Sequence, residues 1–270
     1  MKSFNRVAPV NTDYNREPND TRQTMKVVKV CGLRRLEDIE YCATIADGEK
    51  ITHLGIICVP GRKRTIEKKI GCEIKGVLDR CTTQSTRPKL VGVFRNQSLE
   101  DITALAREYH LDTIQFHDDN PDWLKWSLEL MGLQEESASS HPSNPQHTII
   151  KRWCFPRDRE DILVAARTIS DKNLQDYFIF LFDSENGGEG KVSNDWGEVG
   201  VFMHEVRNGK HISPQLRFIM AGGMTPENVQ GLKKTCSKID GMEGSSGVED
   251  EVTGWKDHGK IDRYVQEAYK

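Results

Sequence analysis

From Lys26 onward, short apolar runs alternate with longer stretches in which apolar residues recur at helical spacing. The short runs predict strands at Val27–Cys31, His53–Val59, Leu90–Phe94, Thr113–His117, Thr148–Cys154, Tyr177–Asp183, Arg217–Ala221 and Ile239–Glu243. Between them the longer periodicity predicts helices at Leu36–Ala46, Ile66–Arg80, Leu99–Tyr109, Asp122–Met131, Arg159–Ile169, Glu198–Arg207 and Pro226–Cys236. A last one runs from about Lys256 to Tyr269. Start signals support two of these. Asn96 to Glu100 offers a polar cap followed by an acid, and Thr225-Pro226-Glu227 offers a cap residue, then proline at the first helical position, then an acid. The strands are continuous apolar runs rather than strict alternations, the pattern of a parallel sheet covered on its outer face.

Eight strands, each followed by a helix, are the arithmetic of an α/β (β/α)8 TIM barrel in a single domain. An open doubly wound sheet uses the same alternation, and nothing local excludes it. The 270 residues suit one barrel of about 250 residues as well as two smaller domains. Residues 1–25 are polar, lack an apolar signal core and mix acids with bases, so they are expected to be a flexible extension, leaving 26–270 for the barrel. The polar, proline-containing stretch Gln134–Gln146 reads as a loop insertion between the fourth and fifth units.

Composition narrows the partners. Net charge is −3, so no basic field is available to hold a nucleic-acid backbone. No apolar run approaches the ~18 residues that span a membrane. The seven cysteines are odd in number, scattered and without a CxxC pair, which argues against a disulfide framework or a zinc site and for a reducing compartment, the cytoplasm.

In a parallel barrel, chemistry stands at the C-terminal ends of the strands. Those ends carry Cys31, the PGRKR stretch after Val59, Phe94-Arg95-Asn96, His117-Asp118, Phe155, Asp183, Ala221-Gly222-Gly223 and Glu243 to Gly247. Each has an ordinary structural explanation. Free cysteine is among the most buried residue types, so on position alone Cys31 reads as a small hydrophobe. Asp183 suits a loop cap, His117 a hydrogen-bonded core histidine, Arg62-Lys63-Arg64 a solvated surface, and Lys151 and Arg152 snorkelling strand residues. The glycine clusters "AGGMTPENV" and "GSSGVE" are harder to dismiss. They fall in the loops after strands seven and eight, where barrels commonly bind phosphate on backbone N–H groups. A third glycine stretch, "SENGGEGK" after strand six, suits a loop that closes over a ligand.

Taken together, "KVCGL", "GIICVPGRKRTI", "VGVFRNQ", "IQFH", "LFDSENGGEGK", "AGGMTPENV" and "SSGVE…GWKD…KI" occur in the order seen in the phosphoribosylanthranilate isomerases of tryptophan biosynthesis, and the chain resembles their fungal monofunctional form from about Lys26 to Lys270. The resemblance implies a (β/α)8 barrel, no metal or organic cofactor, a monomer, and a small phosphorylated substrate. It implies an Amadori rearrangement of N-(5′-phosphoribosyl)anthranilate to 1-(2-carboxyphenylamino)-1-deoxyribulose 5-phosphate. It also implies roles: Cys31 as general base, Asp183 as general acid, Arg64 in the active site, and Gly222, Gly223, Ser245, Ser246 and Gly247 around the phosphate. The chemistry then asks for an Asp183 that stays protonated near neutral pH, and for a Cys31 thiol brought from about 8.5 toward about 7.

The chain departs from the family pattern at three places. "MEGSSGVE" stands for the usual "VDVSSGVE", so Glu243 replaces an aspartate and Gly244 a valine, which is expected to disturb the phosphate loop. Asp195-Trp196 falls one residue late, and His117-Asp118 stands for "HG". The rivals are a related sugar-phosphate isomerase of histidine synthesis, which uses two aspartates and so conflicts with Cys31, and indole-3-glycerol phosphate synthase, which expects a lysine near strand two. A catalytically impaired barrel that only binds phosphate is favoured by the altered strand-eight motif alone.

Overall fold

The structure is a computed structural model and describes residues 25–45, 50–83, 85–133, 146–183, 195–209 and 211–270. The extension over 1–24, the insertion over 134–145 and the glycine stretch over 184–191 therefore lie outside the described residues. Eight parallel strands close into a barrel in sequence order: β1 Val27–Cys31, β2 His53–Ile57, β3 Lys89–Phe94, β4 Thr113–Phe116, β5 Thr148–Cys154, β6 Phe178–Asp183, β7 Arg217–Met220 and β8 Gly241–Gly244. The helices α1 Leu36–Thr44, α2 Lys68–Cys81, α3 Leu99–Glu108, α4 Trp123–Leu130, α5 Arg159–Asp171, α6 Trp196–Asn208, α7 Val229–Thr235 and α8 His258–Tyr269 follow strand by strand. Closure rules out the open sheet and removes both sheet edges.

Each strand is buried on both faces, which explains its unbroken apolar run. One set of side chains, among them Val27, Val91, Ile150, Ile179, Leu181 and Ile219, packs along the barrel axis. The alternate set, including Val28, Leu54, Ile114 and Phe180, packs outward against the helices. Some positions admit no side chain at all. A Cβ at Gly241 would stand 2.0 Å from the Val27 carbonyl oxygen on the neighbouring strand.

Of the two helices with start signals, α3 begins at Leu99 as expected and α7 begins later than expected. Ser98, within the stretch Asn96 to Glu100, caps α3 by accepting from the Asp101 N–H at 3.1 Å. Asn96 instead takes φ +59° and donates its N–H to Asp118 Oδ2. The helix α7 begins at Val229 because Thr225 to Asn228 close a turn of their own, with Thr225 N–H donating to Asn228 Oδ1. Nor do Lys151 and Arg152 snorkel. Both are buried; Lys151 Nζ donates to the Asp118 and Arg152 carbonyls beside the Trp153 ring, and Arg152 reaches Asp119 at 3.3 Å. Among the described residues no helix is long and apolar enough to cross a membrane.

Candidate active site

The C-terminal ends of the strands surround one cavity of about 350 Å³. Its wall includes Cys31 from β1, Arg64 from the loop after β2, His117 after β4, Asp183 from β6, Gly222 and Gly223 after β7, and Ser245 and Ser246 after β8. Seven of the eight residues singled out in the sequence thus meet at one mouth. Gly247 is the exception and is absent from the wall. A Cβ there would lie 2.0 Å from the Met224 carbonyl oxygen, so its work is to let the loops after β7 and β8 press together.

Cys31 is the last residue of β1 and is buried. It owes its seat to Gly55, its register partner on β2, where a Cβ would stand 2.6 Å from Sγ. Gly32 then turns the chain at φ +77°, under the Arg64 side chain and beside Ser245. Ser245 Oγ donates to the Cys31 carbonyl at 3.1 Å, which ties the loop after β8 to the end of β1. Burial, and after it the Glu243 carboxylate, push the Cys31 thiol up to about 11, against the opposing pull of Lys29 and Lys256. This differs from the expected value near 7. A sulfur enclosed by protein loses the water that would stabilise its anion.

Asp183 ends β6 and is likewise buried. Two strands, β7 and β8, separate it from β1 on the shorter way around the barrel, so acid and thiol stand on different sides of the opening. His117 Nε2 lies 3.6 Å from Asp183 Oδ2, and burial lowers the imidazole to about 4, which leaves it neutral at pH 7.

Arg64 grips Glu249 through two hydrogen bonds, Nε to Oε1 at 2.7 Å and Nη2 to Oε2 at 2.8 Å. Lys256 Nζ also reaches Glu249 Oε1, at 3.0 Å, and the Ser245 carbonyl at 2.9 Å. Burial works against the Glu249 charge, yet Arg64 and Lys256 hold its carboxyl below the usual range. The guanidinium is thus fixed in the wall with Nη1 left over for an anion. Its neighbours Arg62 and Lys63 are exposed, as expected of a solvated run, and also border the cavity, as does Arg95.

Gly222 and Gly223 take φ +80° and +66°, backbone shapes that favour glycine. Among the described residues, the N–H groups of Gly222, Gly223 and Ser246 find no protein acceptor. Three such donors at one end of a cavity suit a ligand rich in negatively charged oxygens. Glu243 points into the barrel and pairs with Lys29, and Gly244 makes room for the Tyr264 ring, which a Cβ would approach to 3.0 Å. Among the described residues no three His, Cys, Asp or Glu side chains group as metal ligands.

Lys29, Gln115, Glu249 and Lys256 were not singled out from the sequence. A signal did exist for Lys29, a lone charge two residues before Cys31 in an otherwise apolar strand. For Glu249 there was only its place in "SSGVE"; its partner Arg64 lies 185 residues away.

The profile of the N-(5′-phosphoribosyl)anthranilate (PRA) isomerase family matches residues 28–267. The N-(5′-phosphoribosyl)anthranilate isomerase of Saccharomyces kudriavzevii is 40% identical over 245 residues, covering 90% of this chain and 94% of its own. That of Saccharomyces cerevisiae is 40% identical over 254 residues, covering 93% and 98%. Among solved structures, phosphoribosyl anthranilate isomerase from Thermotoga maritima superposes with a TM-score of 0.64 at 21% identity, over 90% of this chain and 98% of that one. A phosphoribosyl anthranilate isomerase crystallised with reduced 1-(o-carboxyphenylamino)-1-deoxyribulose 5-phosphate gives 0.62 at 21% identity, over 90% and 97%.

Proposed function

This chain belongs to the N-(5′-phosphoribosyl)anthranilate isomerase family, and from that premise we propose that Cys31 is its general base and Asp183 its general acid. The enzyme is an aldose–ketose isomerase of tryptophan biosynthesis that converts N-(5′-phosphoribosyl)anthranilate to 1-(2-carboxyphenylamino)-1-deoxyribulose 5-phosphate. The observation that carries the residue roles is the shared cavity: a buried thiol and a buried carboxyl at the ends of β1 and β6, with Gly222, Gly223, Ser245 and Ser246 in the same wall.

In this reading Asp183 protonates the furanose ring oxygen. The anilino nitrogen pushes its lone pair toward C1, the C1–O bond breaks, and an iminium forms. Cys31 then removes the proton on C2. The C2–H electron pair becomes the C1=C2 bond, the iminium pair returns to nitrogen, and the enolamine tautomerises to the 2-ketone. The thiol stands at about 11 even with Lys29 and Lys256 acting on it, and the iminium adds a further positive charge beside it after ring opening. A positioned acid or base contributes roughly 10²–10⁴ in rate, and anchoring the phosphate supplies orientation beyond that.

The phosphate takes the N–H groups after β7 and β8, with Gly247 acting from behind by holding the two loops together. Arg64 takes the anthranilate carboxylate. The relative crystallised with a reduced ribulose 5-phosphate compound supports this reading of a phosphorylated ligand. The proposal treats the working unit as a cytoplasmic monomer, a barrel over 26–270 behind an extension over 1–25, with no nucleic-acid or membrane partner. The direct test is the decay of phosphoribosylanthranilate fluorescence on adding the protein. Decay with formation of the ribulose product supports the reading, and stable fluorescence at micromolar enzyme rejects it.

A further inference from the structure

Beneath Cys31 the barrel axis holds a buried ion pair. Lys29 lies two residues before Cys31 on β1, so both side chains enter the barrel on the same face. Register sets Lys29 beside Glu243 on β8. Lys29 Nζ donates to Glu243 Oε2 at 2.5 Å and to Gln115 Oε1 at 2.8 Å, and from its place on the same face of β1, two residues before Cys31, its charge acts on the sulfur. No part of Lys29 is exposed to solvent, while Glu243 borders the cavity.

Stability does not explain this pair. Enclosing an ammonium and a carboxylate costs several kcal/mol of hydration, and apolar residues of similar volume are often neutral or stabilising in their place. Elsewhere along the same axis Val27, Ile150 and Ile219 do the filling. What the pair does accomplish is electrical. Burial opposes the charge on Lys29, and its ion pair with Glu243 supports it as an ammonium. That ammonium favours the Cys31 thiolate, whereas Glu243 favours the thiol.

We propose that Lys29 is a positioning residue for the base, the counter-ion of the Cys31 thiolate while C2 is deprotonated, and that Glu243 and Gln115 fix its ammonium against the barrel wall. The inference rests on the reading of Cys31 as the base. The thiol proton goes to solvent before the step. When C2–H breaks, that proton moves to Sγ and its electron pair enters the C1=C2 bond, so the anion that Lys29 balances is consumed as the iminium is. Glu243 keeps Lys29 from becoming a free cation at the sulfur, which would hold a permanent thiolate open to oxidation and alkylation.

The test follows alkylation of Cys31 by iodoacetamide, read peptide by peptide by mass spectrometry across pH, in the wild type, Lys29→Met and Glu243→Gln, with kcat and KM measured beside it. Glu243 from β8, Lys256 and Arg64 from the rim, and Cys58 after β2 also act electrically on Cys31. Lys256, Arg64 and Cys58 are the same in all three proteins, so the contrast reads Lys29 and Glu243. At pH 8 alkylation is expected to fall about tenfold in Lys29→Met and to rise about tenfold in Glu243→Gln, one pH unit in opposite directions. In Lys29→Met kcat should fall in step with the alkylation rate while KM stays within about twofold of the wild type. Changes of the same sign in both variants, or unchanged rates, overturn the proposal. If Lys29→Met does not fold by circular dichroism, Glu243→Gln alone decides: faster alkylation supports the proposal, and equal or slower alkylation overturns it. Alkylation does not require catalysis, so an active Cys31→Ala enzyme would sink the base assignment while leaving this electrostatic result to be judged separately.

Discussion

Cys31 and Gly55 face each other across β1 and β2, and the sulfur occupies the space a Cβ at position 55 would need, at 2.6 Å. The glycine on β2 therefore sets where the sulfur of the proposed base sits. Gly55→Ala should displace Sγ from its line to the substrate. Overpacking of this kind costs about 1–3 kcal/mol of stability, readable in urea unfolding. The expected kinetic signature is a fall in kcat of tenfold or more with a smaller change in KM. An alanine variant with normal kcat would show that the sulfur's position is not critical.

Arg64 is held by Glu249 in a two-bond fork, so its loss removes both an anion contact and the partner of a buried carboxylate. Arg64→Ala should raise KM about 10–100-fold, the range expected of hydrogen bonds to charged groups. Arg64→Lys should recover little, because an ammonium cannot reproduce the planar fork. Steady-state kinetics settle the point, and an unchanged KM in Arg64→Ala would remove it from substrate binding.

Gly247 touches no part of the cavity, yet a Cβ there would collide with the Met224 carbonyl. Gly247→Ala should push apart the loops after β7 and β8 and misplace the N–H groups of Gly222, Gly223 and Ser246. KM should rise, and competitive inhibition by inorganic phosphate should weaken, while kcat changes less. Inhibition constants in the two proteins are the check.

Burial lowers His53 to about 3, with Thr52 Oγ1 2.7 Å from its Nδ1. The unfolded chain takes up a proton near pH 6.5, which the folded chain refuses until about 3. Stability contributed by this histidine is thus complete above the unfolded value and is lost as pH falls between the two, by up to about 1.4 kcal/mol per pH unit. His117, lowered to about 4, adds in the same direction. Chemical denaturation between pH 4.5 and 6.5 should show a steeper loss for the wild type than for His53→Gln. Parallel curves would mean that His53 is not buried neutral.

The barrel was legible because its code is repeated eight times. Strand bounds at Val27–Cys31 and Thr148–Cys154 follow directly from apolar runs, since both faces of each strand are covered. Boundaries failed where side chains close local turns, as at Asn228, whose carboxamide holds Thr225 and delays α7. The site was legible in its strand-end residues, because the fold itself puts strand ends at one mouth. Its electrostatics were not. Whether a thiol is a ready base depends on Glu243 and Lys29 beneath it, and which charge faces the sulfur is set by register across β1 and β8. That Glu243, in place of the usual aspartate, pairs with Lys29 was likewise invisible in one dimension.

The central claim is that a thiol and a carboxyl act from different sides of one opening, and the kcat of Cys31→Ala and of Asp183→Asn in the fluorescence-decay assay tests it most directly. Both proteins should fold with native circular dichroism and bind substrate, and each should lose about 10²–10⁴ in kcat. A folded variant of either kind that turns over within a few-fold of the wild type would contradict the assignment.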